Sequence, residues 1–450
     1  MMKFIVAANV ALIAVLSIAN ASAQVSTHTL DNGLKVIVKE DHRAPVVTSQ
    51  VWYKVGSAQE YGGITGVSHI LEHMMFKGTP SYPAGQFSEI LARVGARDNA
   101  FTGRDYTAYF QVMAVAHLET SFQLESDRMA HLTLDAAEFA KEIEVVKEER
   151  RLRTEDNPNA LTYEQFMATA FNSSAYHNPI VGWMNDLDNM QVEDLALWYQ
   201  RYYSPNNATL VVVGDVDPQQ VFSMAERYYG QLPARQVNYH KPRVEAPQVG
   251  QRHVEIKAVA KLPYLLMGYK VPVLNTIEES SEAYALAVLA GILDGGRSAR
   301  LSKHLVRGEE IAASAGAGYS LYAAQDSLFL FDGTPRSGTS VEQLQAAIEA
   351  QIDTLKNEPV SAAELQRVKA QVVASETYQL DSVQRQAYVL GSLETVGLGW
   401  QEMQNYSDEI NKIDAQAVMA VARKYLIEDR QTIAILTPVS GQSEMAKNEH

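Results

Sequence analysis

Three side chains in the segment His69-Ile70-Leu71-Glu72-His73 are spaced so that they could act together. On a helix, His69 and His73 are four positions apart and their imidazoles share one face, which Glu72 borders. Two imidazoles on one face suit a borderline metal such as zinc, and a carboxylate beside them can act on a metal-bound water. The order His-x-x-Glu-His inverts the commoner His-Glu-x-x-His. The flanks predict a helix over roughly Gly66 to Phe76. Gly62-Gly63 precedes it, Leu71, Met74 and Met75 give it an apolar side, and Gly78-Thr79-Pro80 stops it.

The chain around this segment has 450 residues, which favours two or more domains, and its 46% apolar content can fill sizeable cores. A net charge of −15 argues against nucleic acid or an anionic membrane surface as the main partner. There are no cysteines, which excludes disulfides, thiolate ligands and a cysteine nucleophile, so a metal site must draw on His, Asp and Glu. Residues 1–23 read as a cleavable signal peptide. Lys3 supplies the positive start, Phe4 to Ile18 the apolar run, and Ala21-Ser22-Ala23 the small-residue cleavage site before Gln24. An uncleaved anchor is the alternative, and no later stretch has the length and apolar continuity of a membrane span.

The elements that must position the motif follow in order. Strands are expected at Ser26–Leu30, Leu34–Val38 and Val46–Val55, the first two joined by the turn Asp31-Asn32-Gly33. After the motif come a helix at Gly85–Val94 and a strand pair, Arg97–Thr102 and Tyr106–Val112. Helices follow at Ala116–Met129, Ala136–Arg153 and Leu161–Ala170, then a loop at Tyr176–Trp183. A helix at Val192–Tyr203, a strand at Ala208–Gly214 and a helix at Pro218–Tyr229 complete a first unit. Pro233, Pro242, Pro247 and Gly250 mark a linker. Beyond it, strands are expected at Val254–Val259, Leu265–Val271, Ala312–Tyr319, Ser327–Asp332 and Thr432–Leu436. Helices are expected at Ser281–Leu293, Arg297–Val306, Val341–Asn357, Ala362–Leu390 and Asp414–Tyr425. The stretch from Val192 to Val213 and the stretch from Ile413 to Leu436 both read helix, short loop, buried strand, offset by about 222 residues. This points to an α+β protein built as a duplicated half-molecule, with a domain at 24–231, a linker at 232–250 and a second domain at 251–450. The second half holds only His253, His304 and His450, so it cannot repeat the histidine pair.

Two histidines leave a zinc site short of a protein ligand. The acid-rich segment Lys141 to Arg150 offers Glu142 and Glu149, seven apart and so on one helical face with Val146 between them, while Glu144, Glu148 and Arg151 turn elsewhere. On spacing alone the segment reads first as a solvated helix with internal ion pairs, since charge runs usually face water, with metal ligation as the alternative.

His69, Glu72 and His73 followed by Glu142 and Glu149 at these distances resemble the pitrilysin/insulinase family of zinc peptidases, which includes the mitochondrial processing peptidases. The likeness extends to Asn99-Ala100-Phe101-Thr102 with Asp105 and Tyr106, Pro179 with Gly182-Trp183, Ser204-Pro205-Asn206-Asn207, and Ser298-Ala299-Arg300-Leu301. It implies two homologous α/β-sandwich domains forming a clam-like pair. It further implies one zinc ion per chain on His69, His73 and Glu149, with Glu72 as general base for attack on a peptide carbonyl. Glu142 would orient a ligand from outside the metal's own shell.

The same resemblance implies that Asn99, Ala100, Phe101 and Thr102 form an edge strand that pairs with an extended peptide substrate. Phe76 and Phe101 would line a pocket there or belong to the core. It also calls for an Arg and a Tyr seven apart in the opposing half-molecule. Arg307 stands at the first position, but Ser314 stands at the second and is too short for that work. The expectation is a zinc-bearing subunit of a heterodimer whose paralogous, zinc-free partner supplies the pair; a homodimer is the alternative. The chain reads as an exported, periplasmic zinc metalloendopeptidase for peptides or unfolded segments. A non-catalytic scaffold or peptide-binding subunit of a heteromeric complex is the competing reading.

Overall fold

The computed structural model describes residues 25–237, 241 and 243–440. The signal-peptide expectation at 1–23 lies outside them, as does His450. Each half is built on one sheet. In the first, β1 (Val25–Thr29), β2 (Lys35–Glu40), β3 (Val46–Tyr53), β4 (Arg97–Thr102), β5 (Thr107–Ala114) and β6 (Ala208–Gly214) lie in the order β1-β2-β6-β3-β5-β4. The continuous apolar run Thr209-Leu210-Val211-Val212-Val213 is buried throughout, as a central strand covered on both faces must be. In the second sheet, β7 (Arg252–Val259), β8 (Tyr264–Val271), β9 (Ala312–Tyr319), β10 (Ser327–Pro335) and β11 (Gln431–Val439) lie in the order β7-β11-β8-β10-β9.

The duplication is explicit in the pairing. β2 runs parallel to β6, which is antiparallel to β3; β7 runs parallel to β11, which is antiparallel to β8. β4 and β9 are the matching edge strands, paired to β5 and β10. The fold is α+β in two related halves, as expected. Some element bounds differ. The helix expected over Ala362–Leu390 is two, Ala362–Gln379 and Val383–Thr395, because Ser382 caps the second through the Arg385 N–H. The helix expected from Leu161 begins at Pro158, since proline fits a first turn and Asn157 caps it. The segment expected as a helix over Arg297–Val306 narrows to a π-helical stretch at Leu301–Val306. Helices at Met184–Asn189 and Glu402–Lys412 were not anticipated.

The halves exchange helices. Pro158–Ala170 leaves the first half and packs on β7 and β11 of the second, where Phe166 and Met167 meet Ile256, Leu266, Leu328 and Leu436. Val383–Thr395 leaves the second half and packs on β3 and β6 of the first, where Ala387 and Leu390 meet Trp52, Val211 and Val213. Polar latches reinforce the exchange. Glu245 of the linker accepts from the Asn172, Ser173 and Ser174 N–H groups and from Lys270. Burial alone would raise the Glu245 carboxyl, but Lys270 and those N–H groups hold it down at about 2. Asp105 accepts from Tyr176 Oη at 2.6 Å and from the Ala324 N–H at 3.1 Å.

The contact between Val383–Thr395 and the first sheet has no spare room. A Cβ at Gly391 would lie 2.2 Å from Trp52 Nε1 and Cε2, and Trp52 is fully buried. Helix propensity favours Gly391→Ala by about 1 kcal/mol; overpacking opposes it by about 1–3 kcal/mol and must force Trp52 to move. We expect Gly391→Ala to lower the urea midpoint, with unchanged m-value. A midpoint at or above wild type would show that the helix does not seat on Trp52.

Candidate functional site

The motif lies on the helix Val67–Met74. Its buried side is Val67, Ile70, Leu71 and Met74, leaving His69, Glu72 and His73 half-buried on the opposite face. The start of this helix is unusually constrained. Gly66, with φ 88°, begins it in the left-handed region, where a side chain would be strained. A Cβ there would strike Val181 O at 2.6 Å, and a Cβ on Gly182 (φ 89°) would strike Thr65 O at 2.4 Å. The two glycines let the chain segments touch back to back. Buried Glu60 then accepts from the Gly66 N–H at 2.8 Å and the Ser68 N–H at 2.9 Å. Asp186 accepts from the Gly63 and Thr65 N–H groups and from Thr65 Oγ1 at 2.6 Å. Burial pushes the Glu60 carboxyl up to about 7, against the pull of its two N–H donors. Glu60 and Asp186 carry no signal at sequence level, because each acts on backbone far from any motif-like neighbour.

The second contributor is the helix Ala136–Arg150, with Val146 fully buried between Glu142 and Glu149. His69 Nε2 lies 3.8 Å from Glu149 Oε1, and His73 Nε2 lies 3.5 Å from Glu149 Oε2. One ligand atom from each of His69, His73 and Glu149 falls within 4.8 Å of the others, the one such cluster among the described residues. Two imidazole nitrogens and a carboxylate oxygen are a donor set that fits zinc with a coordination position left open. Glu142 Oε2 lies 3.3 Å from His73 Nδ1, so that His73 donates from Nδ1 and keeps Nε2 toward Glu149; Lys77 Nζ holds the other Glu142 oxygen at 2.5 Å. Burial, reinforced by His73 and Arg153, drives His69 down to about 3, which keeps its imidazole neutral and able to ligate. Glu144 and Glu148 turn outward to Lys147 and Arg151.

Glu72 accepts a hydrogen bond from Thr102 Oγ1. Burial raises its carboxyl above the ordinary glutamate range, and the Thr102 bond opposes that rise. Thr102, expected as part of a substrate-pairing strand, therefore also orients Glu72. β4 lies at the sheet's edge, paired with β5 alone, and Ala100, Phe101 and Thr102 line a cleft of about 310 Å³ shared with His69, Glu72 and Glu149. The Ala100 N–H is met by Asn99 Oδ1 at 2.9 Å. Phe101 also packs edge-on against Trp52, and Phe76 turns inward to Tyr109 and Arg128 rather than into the cleft. Arg153 was missed by sequence reasoning. After Arg150 the helix widens to a π-helical turn, Arg151–Glu155, which sets Arg153 Nη1 2.5 Å from Glu149 Oε1. Arg307 is not brought to this cleft: it is exposed in the second half and donates to the Arg297 carbonyl.

This geometry has counterparts. A model of the family described as Insulinase (Peptidase family M16) matches residues 35–182, and one described as Peptidase M16 inactive domain matches residues 189–372. The zinc protease PqqE of Helicobacter pylori is 32% identical over 417 residues, covering 91% of this chain and 92% of that protein. An uncharacterized zinc protease of Bacillus subtilis, YmxG, is 26% identical over 92% of this chain and 98% of its own. The crystal structure of a protease from Helicobacter pylori superposes with a TM-score of 0.87 at 31% identity, over 92% of this chain and all (100%) of that one. The periplasmic protease PqqL from Escherichia coli shares the fold, with a TM-score of 0.78 at 20% identity over 94% of this chain and 49% of that one. The chain belongs to the M16, or insulinase, family of peptidases.

Glu142→Ala removes the partner of His73 Nδ1 and should weaken zinc binding by about 10–100-fold in a chelator competition, with the fold intact. Unchanged affinity would show that His73 is oriented by packing alone.

Proposed function

We propose that the chain is a zinc-dependent endopeptidase acting on extended peptides or unfolded segments, with His69, His73 and Glu149 holding the metal. The observation that carries this is the convergence of that donor set with Glu72 in one cleft fronted by the open edge of β4. Zinc held there supplies Lewis acidity toward the scissile carbonyl and brings the pKa of water at the site toward ~7. Glu72 takes the proton of the attacking water and delivers it to the departing nitrogen. Thr102 keeps the Glu72 carboxylate aimed, and Glu142 keeps His73 in the tautomer that presents Nε2. Asn99 to Thr102 hold the substrate backbone as an added strand.

The chemistry belongs to residues 24–231, and residues 251–450, joined through a linker at 232–250, enclose and support it. Ser314, exposed on β9 where the family expectation is a tyrosine, and exposed Arg307 favour a working unit with a paralogous, zinc-free partner. Export to the periplasm fits the signal-like residues 1–23 and the likeness in fold to PqqL, a periplasmic protease. Among the described residues, no helix is long and apolar enough to cross a membrane.

The test combines metal analysis with cleavage of a quenched unstructured peptide. We expect one zinc per chain and activity lost on chelation. Glu72→Gln should retain zinc while kcat/KM falls by about 10²–10⁴-fold. Zinc-free native protein would overturn the reading. Glu72 must be ionised to act, so activity falls on the acid side through a pKa above the ordinary glutamate range. Thr102→Val removes a bond that favours the ionised form, so it should shift that limb to higher pH. A limb that stays put would exclude Thr102 as the orienting group.

A further inference from the structure

Arg150 is the residue after Glu149 and closes the helix Ala136–Arg150. It is a buried cation. Its Nη1 and Nη2 donate to the two oxygens of Glu164, itself buried, at 2.7 and 2.9 Å, and Nη1 also donates to the Gly182 carbonyl at 2.9 Å. Glu155 approaches Nε at 3.3 Å, and the guanidinium carbon lies 5.8 Å from the centre of the Trp183 ring. Three segments therefore meet at one side chain. The first is the end of the helix that carries Glu149. The second is the loop of Gly182, which touches Gly66 back to back where the helix bearing His69 and His73 begins. The third is the exchanged helix Pro158–Ala170, which carries Glu164. Phe166 is two positions further on, so it points to the opposite side of that helix, into the second half's sheet beside Ile256, Leu266 and Leu436.

A buried ion pair adds little net stability, since apolar residues of similar volume often serve as well. What a guanidinium on a carboxylate supplies is geometry: two parallel hydrogen bonds fix angle as well as distance. We propose that Arg150 is a positioning residue, and that through Glu164 it lets the second half set the placement of Glu149 against His69 and His73. The inference rests on the proposed zinc reading and adds how that site is regulated: affinity for the metal follows the seating of a helix on the other half of the molecule. The second half has a direct handle on that helix. A Cβ at Gly268, on β8, would lie 2.7 Å from Phe166 Cζ. Phe166 and Glu164 share one helix, so a push on the first is felt at the second and passes to Arg150.

The experiment perturbs the second half and reads the first. Zinc affinity is measured on the full chain by competition with a fluorescent chelator. Amide exchange is followed at Pro158–Ala170 and Val67–Met74 in the metal-free protein. Gly268→Ala should speed exchange in both helices and weaken zinc binding by about 5-fold or more. Phe166→Leu shortens the same contact from the other side, and replaces Gly268→Ala if that variant misfolds or leaves the exchanged helix undisturbed. Arg150→Lys keeps the charge but loses the paired hydrogen bonds, and Glu164→Gln loses the carboxylate. In either background the perturbation should still speed exchange at Pro158–Ala170, yet no longer change Val67–Met74 or zinc affinity further. Additive losses, with the same penalty whether or not the Arg150–Glu164 pair is intact, would overturn the proposal. So would a perturbed exchanged helix that leaves the wild-type pair's zinc affinity and Val67–Met74 exchange unmoved. Should the wild type bind no zinc, the peptidase reading fails, and the exchange measurements alone decide whether Arg150 carries the coupling.

Discussion

The structure depends on how one short helix is started. Val67–Met74 is eight residues long, too short to hold its shape by its own hydrogen bonds. Its first turn is fixed from outside, by Glu60 on the Gly66 and Ser68 N–H groups and by Asp186 on the strand of backbone just before it. The touching backbones at Gly66 and Gly182 bring the Pro179–Trp183 loop against the same end. A carboxylate at a helix N-terminus is favoured by the local field as well as by the hydrogen bonds. With that end clamped, the direction in which His69 and His73 point is set by the fold itself, which is the preorganisation that the proposed three-ligand site requires.

From that clamp the supports run outward in layers. Glu142 and Glu149 share a helix face because Val146 is driven into the core between them. Glu142 is itself restrained by Lys77, three residues past the helix that carries His73, so the two helices are tied twice. β4 contributes Thr102 to Glu72 and leaves its other edge open. Among the described residues the second half adds no ligand to this cluster, yet its helix Val383–Thr395 covers the outer face of the sheet that carries β4.

Much of this was legible in the sequence, for definite reasons. Spacing put His69, Glu72 and His73 on one face because helical geometry leaves no choice. Alternation and β-branched runs placed β3, β6, β8 and β11, and the Thr209 and Thr432 strands revealed the repeat. Glu149 was only one of several acids until the family resemblance distinguished it. What stayed hidden was of two kinds. Glu60 and Asp186 act over long sequence separations on backbone atoms, for which composition holds no mark. The exchanged helices looked like ordinary amphipathic segments; a periodic apolar face says that something must cover it, not which sheet will. The break at Leu380–Ser382 was missed because none of its residues is a strong helix breaker.

The exchange of helices has a consequence for the order in which the molecule can be made. The sheet bearing the catalytic candidates is complete in strands once Gly214 has emerged, but one of its faces is closed by residues 383–395, which follow it by well over a hundred positions. Until then Trp52, Val211 and Val213 have no cover. Synthesis therefore cannot deliver a finished first half followed by a finished second half. The two must close on each other in one late, shared event, so a chain truncated before that event leaves an uncovered apolar sheet in place of a smaller enzyme.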